Sequence, residues 1–332
     1  MTRAASDHFD GKRFHNQETT EHGGFGLLLK WALNREPGPW RSWTDAEPGP
    51  PPPARVGPGE LRVTYVNHAT ALVQMDGVNL LTDPIWSERC SPVGFAGPRR
   101  VRPPGLRFED LPPIDLVLVS HNHYDHLDVP TLRRLHAAHG PRALAPLGNR
   151  RLLERTGLRA DELDWWDAVD LGAVTATLVP AKHFSSRSVR DRDRTLWGGF
   201  VVTGAAGAVY FAGDTGFGPH FAQIRERFGP VRLALLPIGA FRPTWFMSRV
   251  HVSPDEAVRA HQVLEAGTSV GIHFGTFRLA DDGQDEPPAR LEQALREAEA
   301  ASARPRFWVL GFGEGRDVPA GEVDSGAARA RR

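Results

Sequence analysis

Cysteine is nearly absent from this sequence. Of 332 residues only Cys90 carries a thiol, which excludes an intramolecular disulfide and any cluster of thiolate metal ligands. Net charge is absent too: forty basic and forty acidic side chains cancel, so nothing favours wrapping a nucleic acid, and a nuclease is disfavoured on the same ground. Nor is there a long hydrophobic run. The amino terminus lacks the uninterrupted apolar core of a secretory signal. The greasiest early stretch, FGLLLKWAL from Phe25 to Leu33, is broken by Lys30 and falls far short of the ~20 residues that a membrane-spanning helix needs. The reading is a soluble, cytoplasmic, bacterial-type protein. Its fourteen histidines leave imidazole and carboxylate as the ligand set for any metal.

Taking about 150 residues per domain as a guide, the chain makes one large domain or two small ones. Residues 1–59 read as an amino-terminal arm. Its first 24 residues are polar and patternless, and residues 25–33 form a short amphipathic helix with Phe25, Leu28, Leu29, Ala32 and Leu33 on one face. That helix either packs on the domain or lies in a lipid interface. The proline-rich run from Glu47 to Gly59 reads as a linker. A globular unit follows over residues 60–316, and residues 317–332 read as a polar, disordered tail. The unit opens with a hairpin around Asp76-Gly77, a turn dipeptide, which ends at Asp83-Pro84.

One stretch stands out. Ile114 and Leu116 to Val119 read as a buried strand that ends at Ser120 and is followed by HNHYDHLD, three histidines and two aspartates within eight residues. On an extended backbone His121 and His123 point the same way and can hold one ion. Asp125 and His126 come after the chain tightens and can face a second ion. Asp128 and Pro130 then read as the cap and first turn of a helix. The layout of a strand followed by a ligand recurs at His183, Asp214 and His273, and Ser253-Pro254 opens another helix just after His251. Seven candidate ligands result: His121, His123, Asp125, His126, His183, Asp214 and His273. With one carboxylate shared, each of two ions has four protein ligands. Nitrogen and oxygen donors suit Zn2+ and also Mn2+ or Fe2+.

The ordered set SHNHYDH, PAKHFSSR, FAGDTG and IHFGTF resembles the metallo-β-lactamase superfamily. The segments SPVGFAGPRR, IGAFRPTWFM and HVSPDEA resemble the branch of N-acyl-phosphatidylethanolamine-hydrolysing phospholipase D and its bacterial relatives. The resemblance implies an α/β fold of the αββα sandwich type, with two mixed β-sheets flanked by helices and a dinuclear metal site at one edge. It also implies that His121, His123 and His183 hold one ion, that Asp125, His126 and His273 hold the other, and that Asp214 bridges. The expected activity is phosphodiester hydrolysis by a metal-bridging hydroxide on a phospholipid-type substrate. Asp125 or Asp214 would orient the water, and His251 would protonate the leaving group or contact phosphate, unless it only shapes the helix entry.

Other readings compete with this one or stand beside it. The same hydroxide serves a lactonase or amide hydrolase, and a non-catalytic metal-binding regulatory protein keeps the ligands without turnover. His68 either binds metal or orients a ligand from behind. Arg99, Arg100, Arg102 and Arg107 form either a solvated face or a phosphate contact, and Trp165, Trp166, Trp197 and Trp245 form either core or an apolar pocket. Peripheral membrane contact through residues 25–33 fits a lipid substrate, and the oligomeric state is not encoded in any pattern of the chain.

Overall fold

The computed structural model describes residues 5–18, 25–188, 190–302 and 304–320. The amino-terminal residues 1–4 and 19–24 and the tail residues 321–332, for which an arm and disorder are expected, lie outside the described residues. Helix α1 (Phe25–Leu33) precedes the sheets.

Side-chain alternation organises the first half of the chain. Its strands are β1 (Leu61–Asn67), β2 (Thr70–Met75), β3 (Val78–Thr82), β4 (Leu116–Leu118) and β5 (Arg142–Pro146). Val63, Tyr65, Val73, Leu80, Leu116, Leu118 and Leu144 join one buried cluster, whereas Val66, Leu72, Leu81, Val117, Ala143 and Ala145 join another. Neighbours along a strand face opposite ways, so this sheet is covered on both sides. Helices α2 (Val129–His139) and α3 (Arg150–Glu154) cover the outer side through Leu132, Leu135 and Leu153.

The inner side meets a second sheet. After the edge strand β6 (Arg159–Leu163) come β7 (Ala168–Asp170), β8 (Val174–Val179), β9 (Gly199–Gly204), β10 (Gly207–Phe211), β11 (Leu233–Pro237), β12 (Thr268–Ile272) and β13 (Phe307–Trp308). The last strand, β14 (Gly315–Asp317), returns to the first sheet. The two seven-stranded orders are β14-β1-β2-β3-β4-β5-β6 and β13-β12-β11-β10-β9-β8-β7. Each sheet joins antiparallel strands to parallel ones, with β3-β4-β5-β6 and β10-β11-β12-β13 parallel. Helices α4 (His220–Phe228), α5 (Thr244–Met247), α6 (Pro254–Val263) and α7 (Glu286–Ala301) complete the second half. This is the expected αββα sandwich of two mixed sheets with flanking helices.

Two local readings change. Asp128 stands at the N-cap of α2, but its carboxylate makes no capping bond; it accepts hydrogen bonds from Ser87 Oγ at 2.8 Å and Thr131 Oγ1 at 2.5 Å instead. The proline-rich run does not hang free. Arg55 pairs with Asp115 at 2.5 Å, Ala54 O accepts from Asn79 Nδ2 at 2.8 Å, and Gly49 N donates to Gly105 O at 2.7 Å. A Cβ on Gly49 would stand 2.2 Å from Gly313 O, so only glycine lets these backbones meet.

Candidate metal centre

Strand ends deliver the site, three of them on strands with a parallel neighbour and one on β8, which is antiparallel to its neighbours. His121, His123, Asp125 and His126 follow β4, His183 follows β8, Asp214 follows β10 and His273 follows β12, all beyond the carboxyl ends of their strands. Ligands of open α/β sheets gather at such ends because successive parallel strands present their exits on one edge. Four residues of this edge hold positive φ without being glycine: His68 at 46°, Asp83 at 32°, Ala240 at 57° and His273 at 62°. Strain of this kind, costing ~1–3 kcal/mol per residue, is stored at functional sites.

Two groups of ligand atoms converge. In the first, His121 Nε2 lies 2.7 Å from His123 Nδ1, and His183 Nε2 lies 3.4 Å from the same nitrogen. In the second, Asp125 Oδ2 lies 3.2 Å from His126 Nε2 and 3.6 Å from His273 Nε2. Asp214 Oδ2 stands between them, 3.1 Å from His126 Nε2, 3.2 Å from His273 Nε2 and 3.8 Å from His183 Nε2. The fold thus brings all seven predicted positions together. Among the described residues, His126 Nε2, both ring nitrogens of His273 and Asp214 Oδ1 are buried without a hydrogen-bond partner. Buried polar atoms are rarely left so. A cluster of nitrogen and oxygen donors aimed at common points, with partners missing on the converging side, fits divalent cations.

The far sides of three rings, His121, His183 and His126, are held. His121 Nδ1 meets Ser120 Oγ at 2.9 Å, and His183 Nδ1 donates to Val250 O at 2.9 Å. Asp83, fully buried, accepts from Ser120 N at 2.7 Å, Ser120 Oγ at 2.5 Å and His126 Nδ1 at 2.6 Å. Such outer partners fix the tautomer and aim of a metal-ligating imidazole. Sequence reasoning passed over Asp83 as a hairpin end; an aspartate closing a buried strand, with a proline after it, was the available signal. Asn16 of the arm was also missed. It brackets His183 through Nδ2 to His183 O and His183 N to Oδ1, both at 3.0 Å.

Electrostatics divides the site in two. Burial pushes His121 and His183 well below the usual histidine value and His123 down to about 4, so these three rings are neutral, the form a metal requires. Burial also opposes charge on His126 and His273, but the carboxylates of Asp214 and Asp125 outweigh it. His126 lies well above the usual value and His273 is raised to about 9. Burial works against the Asp125 and Asp214 charges too, and His126 and its neighbours overcome it, holding both carboxyls well below their ordinary range.

His68 adjoins the second group, its ligand nitrogen converging with the ligand atoms of Asp125, His126 and His273. Its Nε2 is 2.9 Å from Asp125 Oδ2, its ring sits 4.1 Å from that of His273, and burial pushes its pKa down to about 3. His251 leans across both groups, with its ring 5.2 Å from His183 and 5.4 Å from His273. Among the described residues its Nδ1 finds no hydrogen-bond partner.

The arginines of the 99–107 loop have protein partners. Arg99 pairs with Glu88 and Arg107 with Asp110, while Arg100 is buried against Ser87 O and Ile85 O and Arg102 stacks 3.8 Å above Phe312. Trp165 and Trp197 are core. The tryptophan beside His68 and His273 is Trp40, in a cavity shared with Phe274, Phe277 and Asp282.

A profile of the Beta-lactamase superfamily domain matches residues 78–274, a span that includes every candidate ligand. The chain belongs to the metallo-β-lactamase superfamily. It is 41% identical over 248 residues to an N-acyl-phosphatidylethanolamine-hydrolyzing phospholipase D of Caenorhabditis elegans, covering 71% of this chain and 70% of the relative. A mitochondrial protein of the same description from Saccharomyces cerevisiae is 34% identical over 239 residues, 69% of this chain and 50% of that one. In three dimensions, a metallo hydrolase of the archaeon Ignicoccus hospitalis superposes with a TM-score of 0.59 at 23% identity, over 78% of this chain and 99% of its own. That likeness concerns the fold alone.

Proposed function

We propose that this superfamily member is a dinuclear-metal phosphodiesterase acting on a phospholipid-type substrate, with residues 60–316 as its catalytic unit. The observation that carries the reading is the place of Asp214, one carboxylate oxygen within 4 Å of ligand nitrogens from both groups. The phospholipid class is supported by the likeness to the Caenorhabditis elegans enzyme.

His121, His123 and His183 would hold one cation, Asp125, His126 and His273 the other, and Asp214 both. Zn2+ suits these donors, as do Mn2+ and Fe2+. When bound, two such cations would supply a water of lowered pKa, towards about 7, and would neutralise charge developing on a phosphoryl oxygen. The chain supplies orientation. Asp125 or Asp214, both ionised, would accept a hydrogen bond from the attacking water and orient it towards phosphorus. His68 steadies Asp125. His251 presents its uncommitted Nδ1 to the substrate, as a contact to phosphate or to the leaving oxygen.

A lipid must also reach the site. Leu28, Leu29 and Leu33 of α1 are exposed, and the neighbouring Trp245 carries Lys30 Nζ 5.0 Å from its ring. This apolar face with its cation is the proposed point of membrane contact.

Metal analysis paired with hydrolysis of bis-p-nitrophenyl phosphate, N-acyl-phosphatidylethanolamine and a lactone series tests the reading. Two ions per chain and turnover of the phosphodiesters are expected, with His183→Ala and Asp214→Ala losing both metal and activity. Turnover of lactones alone would move the assignment to carbonyl chemistry. Unchanged hydrolysis in either variant would remove it.

A further inference from the structure

The ligand loop is held from outside by a residue that is not itself among the candidate ligands. Arg187 lies four positions beyond His183, half-buried, and its Nη1 donates to Asn122 O at 2.8 Å and to Leu127 O at 3.0 Å. Asn122 sits between His121 and His123, and Leu127 follows His126 directly. One nitrogen therefore ties together the two ends of the segment that carries His123, Asp125 and His126. The guanidinium also stacks 3.8 Å over the ring of Tyr124, in the middle of that segment, and Tyr124 Oη donates back to Arg187 O at 3.1 Å.

The anchor is itself anchored. Arg187 N and Ser188 N both donate to Asp191 Oδ1, at 3.0 and 2.7 Å, and Asp193 N donates to Ser185 O at 2.8 Å. Among its described residues, the turn after His183 is thus cross-linked through Asp191 and Asp193. The ligand loop's other bonds among the described residues include Leu127 N to His123 O at 2.9 Å, His126 Nδ1 to Asp83 Oδ2 at 2.6 Å and His68 Nε2 to Asp125 Oδ2 at 2.9 Å. Arg187 is what joins the loop's two ends to the turn after His183.

We propose that Arg187 is a positioning residue that couples the His183 turn to the SHNHYDH loop and so sets the affinity of the paired site for its cations. The inference rests on the dinuclear reading given above. A planar guanidinium can bond two carbonyls in its plane while offering its face to an aromatic ring. Lysine can reach the carbonyls as a point donor but cannot stack in this way. Losing an outer partner of a metal ligand costs about 10–100-fold in metal affinity, and Arg187 supports a loop that carries several ligands.

The test uses the full chain, stripped of metal by chelation and titrated with Co2+, with the visible ligand-field spectrum as readout beside thermal melting. Arg187→Ala is expected to weaken Co2+ binding by about 10–100-fold and to alter the spectrum, with Arg187→Lys in between. Millimolar guanidinium should restore part of the affinity and the spectrum to Arg187→Ala, and should do nothing for His183→Ala. If Arg187→Ala binds Co2+ within twofold of wild type with an unchanged spectrum, the proposal is overturned, whether or not the melting temperature falls, because Arg187 would then serve stability alone. A wild-type chain that takes up no Co2+ would instead overturn the dinuclear reading, and this proposal with it.

Discussion

Asp83 shows how much of a metal centre lies behind its ligands. One buried carboxylate takes three hydrogen bonds, from Ser120 N, Ser120 Oγ and His126 Nδ1, and Ser120 Oγ in turn reaches His121. It therefore touches both candidate ion sites through their rings. Replacing it with alanine leaves His126 free to turn and Ser120 without its anchor. Asp83→Ala should lower metal affinity by about 10–100-fold, read as a rightward shift in a zinc titration, while Asp115→Ala at the surface should not. Equal titration curves for the two variants would contradict this role. The seven ligand positions were legible because histidine and aspartate after a buried strand have no packing purpose. Asp83 and Asn16 were not, since neither belongs to a ligand pattern and each works through a contact far away in sequence.

At the scale of elements, α1 repays inspection. Its expected apolar face is the exposed one: Leu28 and Leu29 are each 46% exposed and Leu33 75%. Trp31 is the anchor, stacking on Phe246 at 5.3 Å and donating Nε1 to Asp281 Oδ2 at 3.0 Å. Among the described side chains the helix docks chiefly through Trp31, with Lys30 over Trp245, and shows Leu28, Leu29 and Leu33 outward, so docking and lipid contact are not alternatives. Periodicity located the helix but could not say which side faces the domain, because a leucine stripe looks the same whether it meets protein or lipid. Changing Leu28, Leu29 and Leu33 to serine should abolish flotation with anionic vesicles and leave hydrolysis of soluble bis-p-nitrophenyl phosphate within about twofold. Flotation that survives the triple change would remove α1 from the membrane contact.

Other elements were read to different depths. The strands of the opening hairpin and those leading into ligands stand out as apolar runs with turn dipeptides, and the capping box of α6 is as Ser253 and Pro254 suggest. The strand β6 (Arg159–Leu163) and helix α7 (Glu286–Ala301) escaped notice. β6 is an edge strand of mostly polar residues, RADEL. In α7 only Leu291, Ala294 and Leu295 mark the buried stripe beside Pro287, too thin a signal in a run of glutamate, arginine and alanine.

For the molecule as a whole, the arm is part of the frame. Arg35 pairs with Asp281 at 2.7 Å, Trp40 Nε1 donates to Asp282 O at 2.8 Å, and Asn16 brackets His183, so the segment before the first strand reaches both sides of the site. Two buried histidines away from the ligands set a further property. Burial pushes His220 down to about 3, with Lys182 adding to it, and His261 down to about 4. Both values lie below that of an unfolded histidine, about 6.5, so between about 6.5 and 4 the unfolded chain binds more protons than the folded one. Their contribution is complete above pH 6.5 and is lost as pH falls through that window. The melting temperature of the protein should therefore drop between pH 7 and pH 5, and His261→Gln should flatten the drop. An unchanged slope in that variant would exclude His261 as a contributor.

The centre itself is tested most directly by diffraction at the zinc absorption edge from crystals grown with zinc. Two anomalous peaks per chain are predicted, one within reach of His121, His123 and His183, the other within reach of Asp125, His126 and His273, with Asp214 touching both. A single peak, or two peaks of which neither contacts Asp214, would contradict the account.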